Sequence, residues 1–170
     1  GLTWSPAYVW PVPTTVHDLY TDSNLGLFVG ADAWGVTRYT ELSNWFDFSN
    51  GLKNSSVQCV GAAGLTHGWA AVDDRGLFRT TDAGETWVEA SAGLGVYRFT
   101  DLLAVTEDTV FVSVLSSNGV YRSVNGGQTW QGASTGLPGV GVNKLLYVAP
   151  GSLYAGTLTD GVYRSLDWGN

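Results

Sequence analysis

Along the chain, short runs rich in Val, Tyr, Phe and Leu alternate with clusters of Gly, Asp, Asn and Ser, and no stretch sustains a helical period. That pattern predicts β-strands separated by tight turns. Val96 to Val105 reads as one strand, followed by Thr109 to Leu115, Gly119 to Val124 and Thr129 to Ala133. The order begins again with Val142 to Val148, Ser152 to Thr157 and Gly161 to Leu166, with no further run before the last residue.

The runs recur in register. Gly76-Leu-Phe-Arg-Thr-Thr-Asp-Ala-Gly-Glu-Thr-Trp87 aligns without gaps on Gly119-Val-Tyr-Arg-Ser-Val-Asn-Gly-Gly-Gln-Thr-Trp130 and on the stretch from Gly161 to Gly169. A weaker copy begins at Gly35. The shared arginines, Arg38, Arg79, Arg122 and Arg164, stand 41, 43 and 42 residues apart, a period that suits propeller blades of four strands each. The expected fold is therefore all-β: one domain over 1–170, with repeats at about 5–45, 46–87, 88–130 and 131–170 plus 1–4.

The first residues, Gly1-Leu-Thr-Trp4, match Gly84-Glu-Thr-Trp87 and Gly127-Gln-Thr-Trp130 column for column. The N-terminus thus carries the outer strand that the fourth repeat lacks. Three arrangements fit: a four-bladed ring closed within one chain by its N-terminal strand, an eight-bladed ring made by two chains exchanging that strand, or an arc of a larger propeller. Self-association through complementary termini follows from the second.

The turn chemistry has a local rationale. Asp82, Asn125 and Asp167 accept backbone N–H groups and fold the turn on itself. Gly84, Gly127 and Gly169 supply positive φ. Thr86 and Thr129 open an outer strand, Trp87 and Trp130 fold back as apolar plugs, and Thr3 and Trp4 occupy the same columns. Asn125 brings hydrogen bonding without charge, so these positions read as structural and not as metal ligands.

Composition narrows the functions. Apolar residues make up 44% and charged ones 14%, which excludes disorder. The net charge of −7, with Lys53 and Lys144 the two lysines, argues against nucleic acid. No run approaches the ~20 apolar residues of a membrane span, and no signal peptide is legible. The chain begins at Gly1 and has no Met, as a processed chain or a piece of a longer one does. Cys59 stands alone and reads as a small buried hydrophobe. His17 and His67 have no nucleophile motif or metal-ligand spacing around them, so no catalytic residue, metal or cofactor is expected. Asn54-Ser-Ser56 fits an N-glycosylation acceptor.

Ser/Thr-x-Asp-x-Gly-x-Thr-Trp resembles the Asp-box, or BNR, repeat of sialidases, sortilin-type receptors, xyloglucan-degrading glycosidases and photosystem II assembly-factor-like proteins. The resemblance implies a β-propeller and an extracellular or periplasmic setting. It does not imply one activity. The sialidase arginine triad has no counterpart, since four of the six arginines share one repeat column, and no opposed carboxylate pair of the xyloglucanase kind stands out. In propellers, loops between second and third strands usually carry the binding face. Here they bear Asp32, Trp34, Asp73, Asp74, Arg75, Asn118 and Asp160, which vary from repeat to repeat. The leading expectation is a non-enzymatic module that binds a protein or glycan on that rim; the alternatives are a fragment of an Asp-box glycosidase and a structural assembly subunit.

Overall fold

A computed structural model describes residues 3–4, 14–22, 26–40, 44–52, 55–95, 98–115 and 119–169. Four antiparallel sheets follow one another, and no helix occurs among the described residues. Blade one holds β1 (Val16–Asp22), β2 (Gly26–Ala31), β3 (Gly35–Thr40) and β4 (Asn44–Asp47). Blade two holds β5 (Val57–Ala63), β6 (His67–Val72), β7 (Gly76–Thr80) and β8 (Val88–Glu89). Blade three holds β9 (Phe99–Ala104), β10 (Val110–Val114), β11 (Val120–Ser123) and β12 (Gln131–Gly132). Blade four has three strands, β13 (Val142–Val148), β14 (Ser152–Thr157) and β15 (Val162–Ser165).

Sequence and structure agree on β13 and β14 to the residue. The third-repeat strands are shorter than the apolar runs, because their ends turn into loops. In each sheet the strands lie in chain order, inner to outer.

The inner strands stack in series, β1 on β5, β5 on β9 and β9 on β13. Side chains alternate between the two faces of a blade. One face looks forward to the next blade, the other back to the previous one. Val36, Leu77 and Val120, each just after the glycine that opens a third strand, look forward and are buried in three successive clusters. Val60, Leu102 and Leu145 look back from the inner strands into the same three clusters. The core therefore lies between blades, not within one.

At the two ends this covering stops. Val162, in the column of Val36, Leu77 and Val120, is 74% exposed, and Leu19, in the column of Val60, Leu102 and Leu145, is 61% exposed. Among the described residues β13 makes no contact with β1 comparable to those between successive blades, so no closed ring is seen. Trp4 is fully exposed, whereas Trp87 and Trp130 are buried, and residues 5 and 6, in the columns of β8 and β12, lie outside the described residues.

Candidate functional site

The Ser/Thr-Asp turns close on themselves. In blade two the Thr80 hydroxyl donates to Asp82 Oδ1 at 2.6 Å and accepts the Gly84 N–H at 2.9 Å. Asp82 in turn accepts the Thr86 N–H at 2.9 Å and its hydroxyl at 2.5 Å. Blade three repeats this with Ser123, Asn125, Gly127 and Thr129 at 2.8–2.9 Å. Blade four does so with Ser165, Asp167 and Gly169. Burial raises the Asp82 pKa, but the bonds from Thr80 and Thr86 outweigh it and the net shift is downward. The tryptophans go further than plugging their own hairpin. Trp87 Nε1 donates to the Phe48 carbonyl of blade one at 2.6 Å, and Trp130 Nε1 to the Ala90 carbonyl of blade two at 2.8 Å. Each indole locks its blade to the preceding one.

Three of the rim residues, Asp32, Asp73 and Arg75, bond to the adjacent pair Ser55 and Ser56. Asp73 and Asp74 are exposed turn residues, Asp74 at φ 57°. Arg75 donates to the Ser55 hydroxyl and to the Gly51 carbonyl and lies over the Phe78 ring at 4.9 Å, which anchors its loop. Asp160 takes the Thr159 hydroxyl at 3.2 Å and stays in its own exposed turn. Trp34 is half-buried, and its carbonyl accepts the Ser49 hydroxyl. Asn118 lies outside the described residues. Asp32 reaches a wider network: one carboxylate oxygen meets His17 Nε2 at 2.7 Å and the Ser56 hydroxyl at 2.5 Å, and Ser56 receives Gln58 Nε2 at 2.9 Å and, on its carbonyl, the Asp73 N–H at 2.9 Å. Those bonds, from Ser56 first and His17 second, lower the Asp32 pKa.

His17 and Gln58 belong to a set that the sequence reading missed. All four inner strands carry a register shift at the same place, which leaves His17, Gln58, Thr100 and Asn143 without a partner in the second strand. A bulge re-aims the residues on either side of it. Asp18, Cys59, Asp101 and Lys144 follow directly, one per blade. Asp18 Oδ2 accepts the Val60 N–H of blade two at 2.9 Å, and Asp101 Oδ2 accepts the Leu145 N–H of blade four at 2.7 Å. Asp101 Oδ1 also takes Lys144 Nζ at 2.8 Å, while the Thr100 hydroxyl donates to the Val142 carbonyl at 2.5 Å.

The four followers feel one another's charge. Burial raises the Asp18 pKa, with Lys144 pulling against it and Asp101 adding to it. The buried Cys59 thiol is pushed well up, by desolvation first and by both aspartates second. Burial opposes the charge on Lys144, yet Asp101 and Asp18 together raise its pKa. Asp18 and Asp101 thus face the next blade and Cys59 is buried in the core, while Asn143 and Lys144 are exposed. Among the described residues no group of three or more His, Cys, Asp or Glu is placed to hold a metal ion. No described helix is long and apolar enough to cross a membrane.

No protein-family model matches the sequence, and comparison with curated proteins finds no relative. Solved structures do match. The GH74 enzyme of Niastella koreensis superposes with a TM-score of 0.68 at 16% identity, over 91% of this chain and 28% of that one. YCF48 bound to D1 peptide gives 0.67 at 15%, over 87% and 50%. The extracellular domain of BT4673 from B. thetaiotaomicron gives 0.69 at 16%, over 91% and 20%. The fold is that of a β-propeller. The chain spans half or less of the length of each of these three chains.

Proposed function

We propose that this chain is a binding module that holds a polar segment of a partner protein against the axial end of its inner strands. The observation that carries the reading is the bulge repeated in four blades, which turns His17, Gln58, Thr100 and Asn143 and their following residues out of the strand pattern. Such irregularities concentrate at functional sites. The set provides exposed donors at Asn143 and Lys144 and a fixed acceptor at Asp32, as a peptide backbone requires. Likeness to YCF48 bound to D1 peptide supports protein binding by this fold. An extracellular or periplasmic setting goes with this reading, since one neighbour is an extracellular domain.

Peptide and glycan arrays probed with the chain and with a Lys144→Ala/Asn143→Ala variant test it. Peptide capture lost in the variant is the expected result. Glycan capture alone, or peptide capture untouched by the variant, overturns the proposal.

A second reading, part of a glycoside hydrolase, draws on the GH74 neighbours. Asp18 and Asp101 would be its carboxylates. Each already holds a backbone N–H of the next blade, and Asp101 also holds Lys144, which leaves little freedom for proton transfer. Turnover of xyloglucan abolished by Asp18→Asn would favour this second reading.

A further inference from the structure

Trp87 and Trp130 show what a blade interface contains when complete. Trp87 is buried with Val36 and Leu52 of blade one and Ala70 and Phe78 of its own blade; Trp130 is buried with Leu77, Leu94, Val112 and Tyr121. One interface on, the same columns hold Val120, Leu137, Ala155 and Tyr163, and these line an open cavity of about 140 Å³. The indole acceptors Phe48 and Ala90 correspond there to Ala133. The carbonyls of Asn50 and Ala92, which accept the tryptophan backbone N–H groups, correspond to Thr135. A Cβ on Gly51 or Gly93 would strike the Trp87 or Trp130 carbonyl at 2.8 or 2.5 Å, whereas one on Gly136 would meet nothing within 4 Å. The cavity is a tryptophan slot with its lining and both acceptors in place.

The chain also has a tryptophan without a slot. Trp4 is 104% exposed. The match around it extends further than the turn: Gly84-Glu-Thr-Trp-Val-Glu-Ala90, Gly127-Gln-Thr-Trp-Gln-Gly-Ala133 and Gly1-Leu-Thr-Trp-Ser-Pro-Ala7 share four columns. Pro6 stands in the column of Glu89 and Gly132. That column faces Phe78 and Tyr121 in a pair flanked by the bonded pairs at Ala90 and Ala133, so its N–H is not used in the ladder and proline is accepted there.

We propose that the slot between blades three and four receives Trp4 from a second copy of this chain. Within one chain, Trp4 lies exposed and β1 does not pack on β13 as successive blades do. The arc superposes on half of the YCF48 chain, so in that propeller about as much chain again lies beyond such an arc. The faces fit the same partner. Val162 and Leu146 look out from blade four and Leu19 from blade one, in columns that are covered inside the chain. Blade one of a second copy set against blade four repeats the three interfaces already present, and two such contacts close a ring.

Light scattering on the 170-residue chain tests the proposal. The expected result is a mass near twice 18.1 kDa, reduced to the monomer by Trp4→Ala with an unchanged circular dichroism spectrum. Trp4→Phe keeps the ring and loses the N–H donor, and weakens the dimer about tenfold. A monomer at high concentration overturns the proposal, as does a dimer indifferent to Trp4→Ala. A monomer in which the Trp4 indole N–H is protected from exchange also overturns it, by assigning the slot to the same chain.

Discussion

The Ser/Thr-Asp turns and the axial bulges are both repeated at fixed columns, yet they use polar side chains in opposite ways. In the turns, Asp82 and Asn125 spend their acceptors on Thr86 and Thr129 four residues away, and the residue type hardly varies. In the bulges the column reads Asp18, Cys59, Asp101 and Lys144, three chemistries in four blades, and the bonds made by both aspartates cross to the next blade. A polar group bonded within its own turn serves a fold that must repeat. The bulge column changes residue type from blade to blade, while Asp18 and Asp101 tie their blades to the next. The difference separates bonds that close a turn within one blade from bonds that join successive blades.

The largest break in this comparison comes from Asp101→Ala. Its carboxylate is nearly buried and holds the Leu145 N–H, which would lose its partner inside the interface of blades three and four. Chemical denaturation should show a loss of about 2–3 kcal/mol, and hydrogen exchange should place it at Leu145. The turns come next. Asp82→Ala and Asn125→Ala should each cost about 1–2 kcal/mol, whereas Asp82→Asn should stay within about 0.5 kcal/mol at neutral pH. Acid then separates the two turns. The Asp82 pKa is lowered in the folded chain, so its contribution is complete above the unfolded value and is lost as pH falls through the folded one. Protection from exchange, taken against the intrinsic rate at each pH, should therefore fall in acid at Gly84 and Thr86 and hold at Gly127 and Thr129. Equal behaviour of both turns would remove charge from the account.

Much of the frame was legible because a repeat multiplies weak signals. One arginine in a strand says little, but Arg38, Arg79, Arg122 and Arg164 in one column set the blade period, and Arg122 reaches forward to the Trp168 carbonyl of the next blade. The bulges were harder to read. A single extra residue shifts the alternation of the strand, so His17-Asp18 or Asn143-Lys144 looks like a polar interruption until the second strand shows which residue lacks a partner. Placing the four pairs in the repeat register would have exposed them. The destination of Trp87 was illegible for another reason: the carbonyl it meets, at Phe48, is a backbone group of another blade and leaves no mark in composition. On the rim, Asp73, Asp74 and Asp160 are also what tight turns select, so residue type alone marks no site there.

Asp18 gives the smallest effect and the finest test. Its carboxylate accepts the N–H groups of Val60 and Leu19, yet burial outweighs those bonds and raises its pKa. The folded chain therefore holds the Asp18 proton more tightly than the unfolded one. Stability must fall as pH rises from the unfolded pKa through the folded one, the reverse of Asp82. Asparagine keeps an oxygen for the Val60 N–H and carries no charge to desolvate. Asp18→Asn should match the parent chain in acid and exceed it at neutral pH by less than about 1 kcal/mol, since the site is partly open to water. A variant less stable than the parent at neutral pH would mean that the attraction of Lys144 outweighs burial, and the axial column would then be held together by its charges.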